Sequence, residues 1–385
     1  MRFADDVRFY RVAVGLALAV LALLVFLRSA VTLEDSLAPR FGYTPDPEAV
    51  ERFMAELDQP RFAQAGAECM EKAKGVDTLL YRAMFEAHRA RYGTEFVVGR
   101  QLNGSCVAWG AMHGVFCAES VSWKIGELAE PPLMPATEPL YGGSRVEARR
   151  SNPDGFDGSS PVGGWSDGSF GAAAARWLRD WGVIYRKPYP GIFDYTTYDA
   201  TREKHEGAYG AGGQGDNYRL DKLAKKHPCK HVVKVETWDE LAAALEAGYP
   251  CTVASSQGFE SVARNGIAEA SGTWHHQMMI CGILHKKNNN PDDLVVVLNS
   301  WGPRWCRYEG AKLPDDLPDG AFLARRSVVE RMIRGDTWAI GGVSGFGWRD
   351  IHHGEWLQPA PNAGRLANPA RLVSDVFKMW GPHEN

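Results

Sequence analysis

His276-Gln-Met-Met-Ile-Cys-Gly-Ile-Leu-His-Lys-Lys-Asn-Asn-Asn-Pro-Asp-Asp-Leu-Val-Val-Val-Leu-Asn-Ser-Trp-Gly302 is the stretch on which the fold turns. Two apolar runs, Gln277 to Leu284 and Leu294 to Asn299, flank a polar segment, His285 to Asp293. Short apolar runs bounded by Asn, Pro and Asp read as buried strands joined by a hairpin loop. His276 opens the first strand and Asn299 closes the second, 13 and 10 residues from Asn289 in the loop, so antiparallel pairing brings the two together. An Asn carbonyl beside a His accepts its ring N–H, which sets the tautomer and aims the other nitrogen outward. Trp301 follows closely enough to shield that hydrogen bond from water.

A nucleophile for such a histidine stands far upstream. From Cys106 to about Lys124 there is no Pro and small residues crowd one side, the pattern of a buried helix entered through Asn103-Gly104-Ser105, with Ser105 as N-cap. A cysteine in the first turn of a helix meets free amide donors and the positive end of the helix dipole, both of which favour a thiolate. Glycine two residues earlier lets a ligand backbone approach closely. Cys106 alone combines a helix start with an imidazole partner and is expected to be the one fast-reacting thiol, in an ion pair with His276.

These residues resemble the papain-like cysteine peptidases. Gln101-Leu-Asn-Gly-Ser-Cys-Val-Ala-Trp109 is similar to that family's nucleophile motif, His276-Gln-Met-Met-Ile-Cys-Gly282 to its histidine strand, and Leu298-Asn-Ser-Trp-Gly302 to its Asn-Ser-Trp-Gly signature. Ser166-Asp-Gly-Ser-Phe170, with Gly182-Val-Ile-Tyr-Arg186 and Tyr189-Pro190, runs parallel to its Cys-Asn-Gly-Gly stretch, and all four segments keep the family order over roughly residues 99–350. The resemblance implies Cys106 as nucleophile, His276 as acid/base, Asn299 as the group orienting the imidazole, and Gln101 with the Cys106 amide as oxyanion hole. Gly168 and Ser169 would hydrogen-bond an extended substrate, with His275 and Trp301 lining the cleft. It implies an α+β, papain-like two-lobed fold, a helical lobe plus an antiparallel sheet or barrel lobe, acting on peptide or protein substrates without a cofactor.

The departures place the chain in a distant, bacterial or phage-like branch. Gln101 stands five residues before Cys106 rather than six, Val107 replaces the usual Trp, Ser166 replaces a disulfide cysteine, Ser169 the second glycine, and His275 an Asp or Asn. Two other functions use the same trio: a catalytically inactive binding or structural module of a virion or other assembly, and an amidase or transpeptidase.

The rest of the chain sets the context. Of 385 residues, 45% are apolar and 23% charged, which excludes a wholly disordered chain and a multi-span membrane protein. The net charge of −4 offers no global field for nucleic acid. Val12 to Leu27 is uncharged and almost entirely apolar between Arg11 and Arg28; as a helix it spans ~24 Å, and flanking arginines can snorkel. Arg28 sits where a small-x-small cleavage site would begin, which favours an uncleaved membrane anchor over a signal peptide or a core helix. Arg2, Arg8 and Arg11 outweigh Asp5 and Asp6, so the N-terminus stays cytoplasmic and the catalytic domain extracytoplasmic.

Residues 1–31 are thus expected as cytoplasmic stub and anchor, 32–98 as a helical stalk or pro-like segment, 99–350 as the catalytic domain, and 351–385 as a Pro-rich tail. Within the stalk, helical runs are expected over 47–57, 62–74 and 78–92, and residues 142–170, rich in Gly, Ser and Asp, read as surface loops. Phe170 to Trp181 reads as a helix, and Thr237-Trp-Asp-Glu240 as a capping box opening another. His227, Cys229 and His231 alternate as metal ligands on a strand would, but Pro228 and the neighbouring lysines indicate a surface turn; no metal is expected.

Overall fold

Leu294–Leu298 is apolar at every position, and all five side chains are buried. In this computed structural model, which describes residues 41–151, 167–211, 217–341 and 345–351, that run is an inner strand of an eight-stranded sheet. The elements, in chain order, begin with helices α1 (Pro47–Met54), α2 (Phe62–Ala65) and α3 (Ala67–Lys72), strand β1 (Thr78–Leu79), and helices α4 (Tyr81–Tyr92), α5 (Cys106–Lys124), α6 (Thr137–Ser151) and α7 (Gly171–Asp180). A small hairpin, β2 (Pro188–Tyr189) with β3 (Phe193–Asp194), precedes α8 (Ala200–Tyr209) and α9 (Asn217–Ala224). The sheet then accumulates from β4 (Val232–Lys234), β5 (Cys251–Arg264), β6 (Ile267–Leu284), β7 (Leu294–Leu298), β8 (Arg307–Glu309), β9 (Ala321–Arg325) and β10 (Asp336–Ile340), with α10 (Trp238–Glu246) and α11 (Arg326–Met332) interposed.

Strand order is β4-β10-β5-β6-β7-β9, with β1 added on β6 and β8 on β5. The expected hairpin is present, β6 and β7 pairing antiparallel with Met279 opposite Leu298, Leu284 opposite Leu294 and a register shift between Ile280 and Gly282. But β6 begins at Ile267, so His276 lies mid-strand rather than opening the strand. The expected wholly antiparallel sheet is instead mixed, because β8 runs parallel to β5 and Ile267 meets Leu323 in parallel. Thr237 and Glu240 form the capping box, with the Glu240 amide donating to Thr237 Oγ1 at 3.2 Å.

Three expectations change. Residues 142–170 are not all loop: Thr137–Ser151 is a helix in which Gly142 and Gly143 serve packing, since a Cβ on Gly143 would sit 2.2 Å from the Trp177 ring. Residues 78 and 79 are strand, not helix, because Thr78 and Leu79 find open pairing positions opposite Ile283 and Gly282. The segment 32–98, read as a stalk or pro-like piece, is continuous with the rest where it is described. Phe53, Phe62, Leu80, Tyr81 and Val98 belong to the same core as the sheet, and Arg82 is paired with Asp316 at 2.8 Å. The apolar faces of these helices need cover, and the sheet supplies it.

A second, smaller core of Ala136, Ile184, Tyr195, Leu220 and Ala224 lies beneath the hairpin and α9. No helix among the described residues is long and apolar enough to cross a membrane. The run 12–27 and the tail from 352 lie outside the described residues.

Candidate active site

Cys106 is the first residue of α5 and is fully buried. Its helix lies against the sheet, where Gln277 Nε2 donates to the Val107 carbonyl at 3.3 Å. The backbone amides of Gln277, Gly42, Val107 and Cys106 itself favour the charged form of the thiol. Gln277 adjoins His276, so the start of the helix packs on the histidine strand one residue from the imidazole. On β6, His276 pairs across to Ser255. Its Nε2 lies 2.7 Å from Asn299 Oδ1, immediately after β7, as the hairpin reading requires. The other ring nitrogen, Nδ1, is buried with no hydrogen-bond partner among the described residues. Trp301 covers the pair, its ring 4.4 Å from the His276 ring at 30°. The cover continues outward through Trp274 and Trp305, at 4.7 and 5.5 Å from Trp301.

Gln101 is buried between the two halves of the site. Its amide donates to the Ser300 carbonyl at 2.8 Å, Ser300 Oγ donates to Gln101 Oε1 at 2.5 Å, and Gln101 Nε2 donates to the Asn103 carbonyl at 3.0 Å. Nucleophile loop and Asn299 turn are thereby joined. Ser105 stands at the N-cap position but makes no cap hydrogen bond; its hydroxyl donates to Glu203 at 2.8 Å.

The groove between the walls is filled by the chain's own residues 41–44, which sequence reading placed in the stalk. Ser169 N donates to the Gly42 carbonyl at 2.9 Å and Thr44 N to the Ser169 carbonyl at 2.8 Å, a parallel pairing of Tyr43 with Ser169. On the other wall, the amides of Gly42 and Tyr43 both donate to the His275 carbonyl at 3.1 Å. Phe41 spreads over the histidine wall, 6.4 Å from the His276 ring and 5.5 Å from Trp301. The contact tolerates only glycine: a Cβ on Gly42 would stand 1.9 Å from the Gly104 carbonyl oxygen. Gly168, at φ 107°, leaves room for Thr44, whose Oγ1 would be 2.9 Å from an added Cβ. His275 thus contributes its carbonyl, while its exposed ring meets Ser256 Oγ at 3.3 Å.

This strap sets the electrostatics. Burial pushes the Cys106 thiol up to about 12, against the pull of the four amides. Burial likewise drives His276 down to about 4, opposed by its bond to Asn299. Burial of both groups thus opposes the expected thiolate–imidazolium pair, because neither charge is solvated there. All seven cysteines are free and buried, Cys106 among them.

His113 and Cys117 pack inside the helix bundle behind the nucleophile, both buried. Cys229 turns inward, its sulfur 3.4 Å from the Gly341 carbonyl, away from any ligand set with His227 and His231. No cluster of metal-ligating side chains occurs among the described residues. Two participants escaped the sequence, the strap 41–44 and Glu203, neither of which belongs to a motif.

No protein-family profile matches the sequence, and no curated protein matches it. Among solved structures the chain is similar to xylellain, a cysteine protease from Xylella fastidiosa, with TM-score 0.44 and 18% identity over 79% of this chain and 92% of that one. It is also similar to digestive procathepsin L 3 of Tenebrio molitor larval midgut, with TM-score 0.43 and 14% identity over 83% of this chain and 88% of the other. The bromelain protease of Ananas comosus in complex with the E64 inhibitor aligns with TM-score 0.39 and 18% identity, over 65% of this chain and 95% of that chain.

Proposed function

We propose that this chain is a papain-like cysteine peptidase. The observation that carries the reading is a cysteine at the start of a helix that Gln277, the residue next to His276, bonds through the Val107 carbonyl at 3.3 Å, while His276 Nε2 is held by Asn299 at 2.7 Å. With Nε2 committed to Asn299, Nδ1 is the nitrogen that exchanges a proton with the sulfur. The thiolate attacks the carbonyl carbon of the scissile bond. Gln101 and the Cys106 amide are the donors assigned to the developing oxyanion. His276 then protonates the leaving amine, and water, deprotonated by the same imidazole, releases the acyl group from sulfur.

The strap 41–44 marks the substrate groove, since its backbone pairs with Ser169 on one wall and with His275 on the other. An extended peptide would use the same donors and acceptors after the strap has left. An inactive binding module is the second reading, favoured by the complete burial of Cys106. The run 12–27 would anchor the chain with residues 32–385 outside the cytoplasm.

Labelling with a thiol-directed epoxide and cleavage of a fluorogenic peptide library, on wild type and Cys106→Ala, test the activity. Wild-type signal lost in the variant supports it. Signal from neither, even with the strap displaced, supports the binding module. Carbonate extraction with N-terminal sequencing tests the anchor, which a soluble chain with an intact N-terminus would refute.

A further inference from the structure

The nucleophile loop Leu102–Ser105 has neither strand pairing nor a covalent tether, since every cysteine is free. It is nevertheless buried on one side by α8, and a single carboxylate gathers its polar groups. Glu203 Oε2 accepts from Asn103 Nδ2 at 2.9 Å, from Ser105 Oγ at 2.8 Å and from the Tyr198 hydroxyl at 2.7 Å. The Tyr198 oxygen in turn accepts from the Leu102 amide at 3.2 Å. Asn103 Nδ2 also donates to the Ala200 carbonyl at 2.9 Å, and the Tyr198 ring packs 5.2 Å from Trp109 on α5. Three of the four loop residues, and the helix that begins with Cys106, are thus referred to one acidic side chain.

Glu203 is fully buried, and its second oxygen, Oε1, has no hydrogen-bond partner among the described residues. The nearby guanidinium of Arg186 is committed to Glu138 at 3.2 Å. A buried carboxylate without a cation costs stability, and burial raises this one to about 7, with the Asn103 bond and its other donors opposing and Glu138 adding to the rise. A costly group placed where the nucleophile is aimed points to a role in that aim. Hydrogen bonds to a carboxylate are stronger than those between neutral groups, and a reacting sulfur must be held to within about 0.5 Å.

We propose that Glu203 is a positioning residue for Cys106: it pins Asn103, Ser105 and Tyr198, and so fixes the sulfur and Gln101 relative to His276. The proposal rests on the peptidase reading for its kinetic consequence but not for its geometry. Gln101 shares in it because its Nε2 donates to the carbonyl of Asn103, one of the pinned residues.

The test compares Glu203→Ala, Glu203→Gln and Tyr198→Phe with wild type in the full chain. It measures kcat and KM on a fluorogenic peptide, deuterium exchange at the amides of residues 102–106, and thermal melting. Displacing a reacting group by ~1 Å costs ~100-fold, so Glu203→Ala is expected to lower kcat by about 10- to 100-fold with KM changed by less than about 3-fold. The loop amides should exchange faster. Glu203→Gln keeps an acceptor oxygen and should restore most of kcat, and Tyr198→Phe should speed exchange at Leu102 first. A folded Glu203→Ala protein with wild-type kcat and wild-type exchange overturns the proposal, as does a Gln variant no better than Ala. If wild type cleaves no peptide even with the strap displaced, the peptidase reading fails alone. Exchange at 102–106 then decides the role of Glu203 by itself: faster in Ala and restored in Gln supports it, unchanged refutes it.

Discussion

On one wall of the cleft, His276 stands midway along β6 and Asn299 just after β7, and Met279 opposite Leu298 sets their meeting within one hairpin. On the other wall, the loop before Cys106 is held by Glu203 of α8 and Tyr198 just before that helix, by Gln277 from the sheet and by Ser300 from the turn after β7. The first wall is held by the backbone pairing of one hairpin, which carries a single register shift between Ile280 and Gly282. The second is held by side chains distant in sequence converging on a loop. The difference teaches that equally important halves of one site can differ in how much of their geometry is local. It also predicts that the histidine wall tolerates perturbation of single side chains around it better than the cysteine wall does.

The largest effect should come from the reacting atoms. Cys106→Ala and His276→Ala are each expected to lower kcat by about 10⁴-fold or more, because residues acting as a unit fail together. Asn299→Ala, which leaves the imidazole present but unaligned, should lose less, about 10- to 100-fold. Steady-state kinetics on the three variants check this, and Asn299→Ala falling below His276→Ala would contradict the roles.

Next is the strap that now joins the two walls. Gly42→Val places side-chain atoms against the Gly104 carbonyl, 1.9 Å from the first of them. Overpacking costs ~1–3 kcal/mol, which corresponds to a shift of roughly 5- to 150-fold toward the open groove. Alkylation of Cys106 by iodoacetamide, mapped by mass spectrometry, should quicken by that range. Equal labelling of wild type and variant would mean that the strap does not control access.

The strap should also respond to acid. Burial holds His276 at about 4 in the filled groove, below its ordinary value near 6.5. An opened site in which Cys106 stays a thiol therefore takes up a proton that the closed site refuses. Closure keeps its full stability above pH ~6.5 and loses it as pH falls toward ~4. Protection of the Gly42 and Thr44 amides from deuterium exchange, corrected for intrinsic rates, should decline from pH 7 to pH 5, and should decline less in His276→Gln. No change with pH would sever the histidine from closure.

The smallest effect concerns the cysteine wall. The Glu203 carboxyl is raised to about 7 by burial, so the folded chain binds more protons than the unfolded one between about pH 4.5 and 7. Stability from this group is full below that window and is lost as pH rises through it. Glu203→Gln removes the titration and should gain a few degrees of Tm on wild type between pH 5 and pH 8, at about 2–4 °C per kcal/mol. A constant difference across that range would show that the carboxyl ionises without cost.

Much of the histidine wall was legible because its signals are local. Apolar strands, the polar loop between them and the capping box at Thr237 each report a structure decided within a few residues. The glycine-rich run at 142 misled for the opposite reason: Gly143 there is small for the sake of Trp177, more than thirty residues away, and only the packed state reveals it. Thr78 and Leu79 read as helix until the free edge of β6 offered them partners.

Residue types and their order, by themselves, determined the chemistry available here: a thiol at a helix start, an imidazole and an amide brought together by one hairpin, a tryptophan to cover them. Local hydrogen bonding and hydrophobic periodicity act over a few residues, so the sequence carries them openly. Tertiary structure alone decided that residues 41–44 fill the groove, that burial opposes charge on the sulfur and the imidazole, and that Glu203 sits under the nucleophile loop. Those outcomes depend on which distant backbones can approach closely and on which charges lose their water, and both are properties of the assembled core.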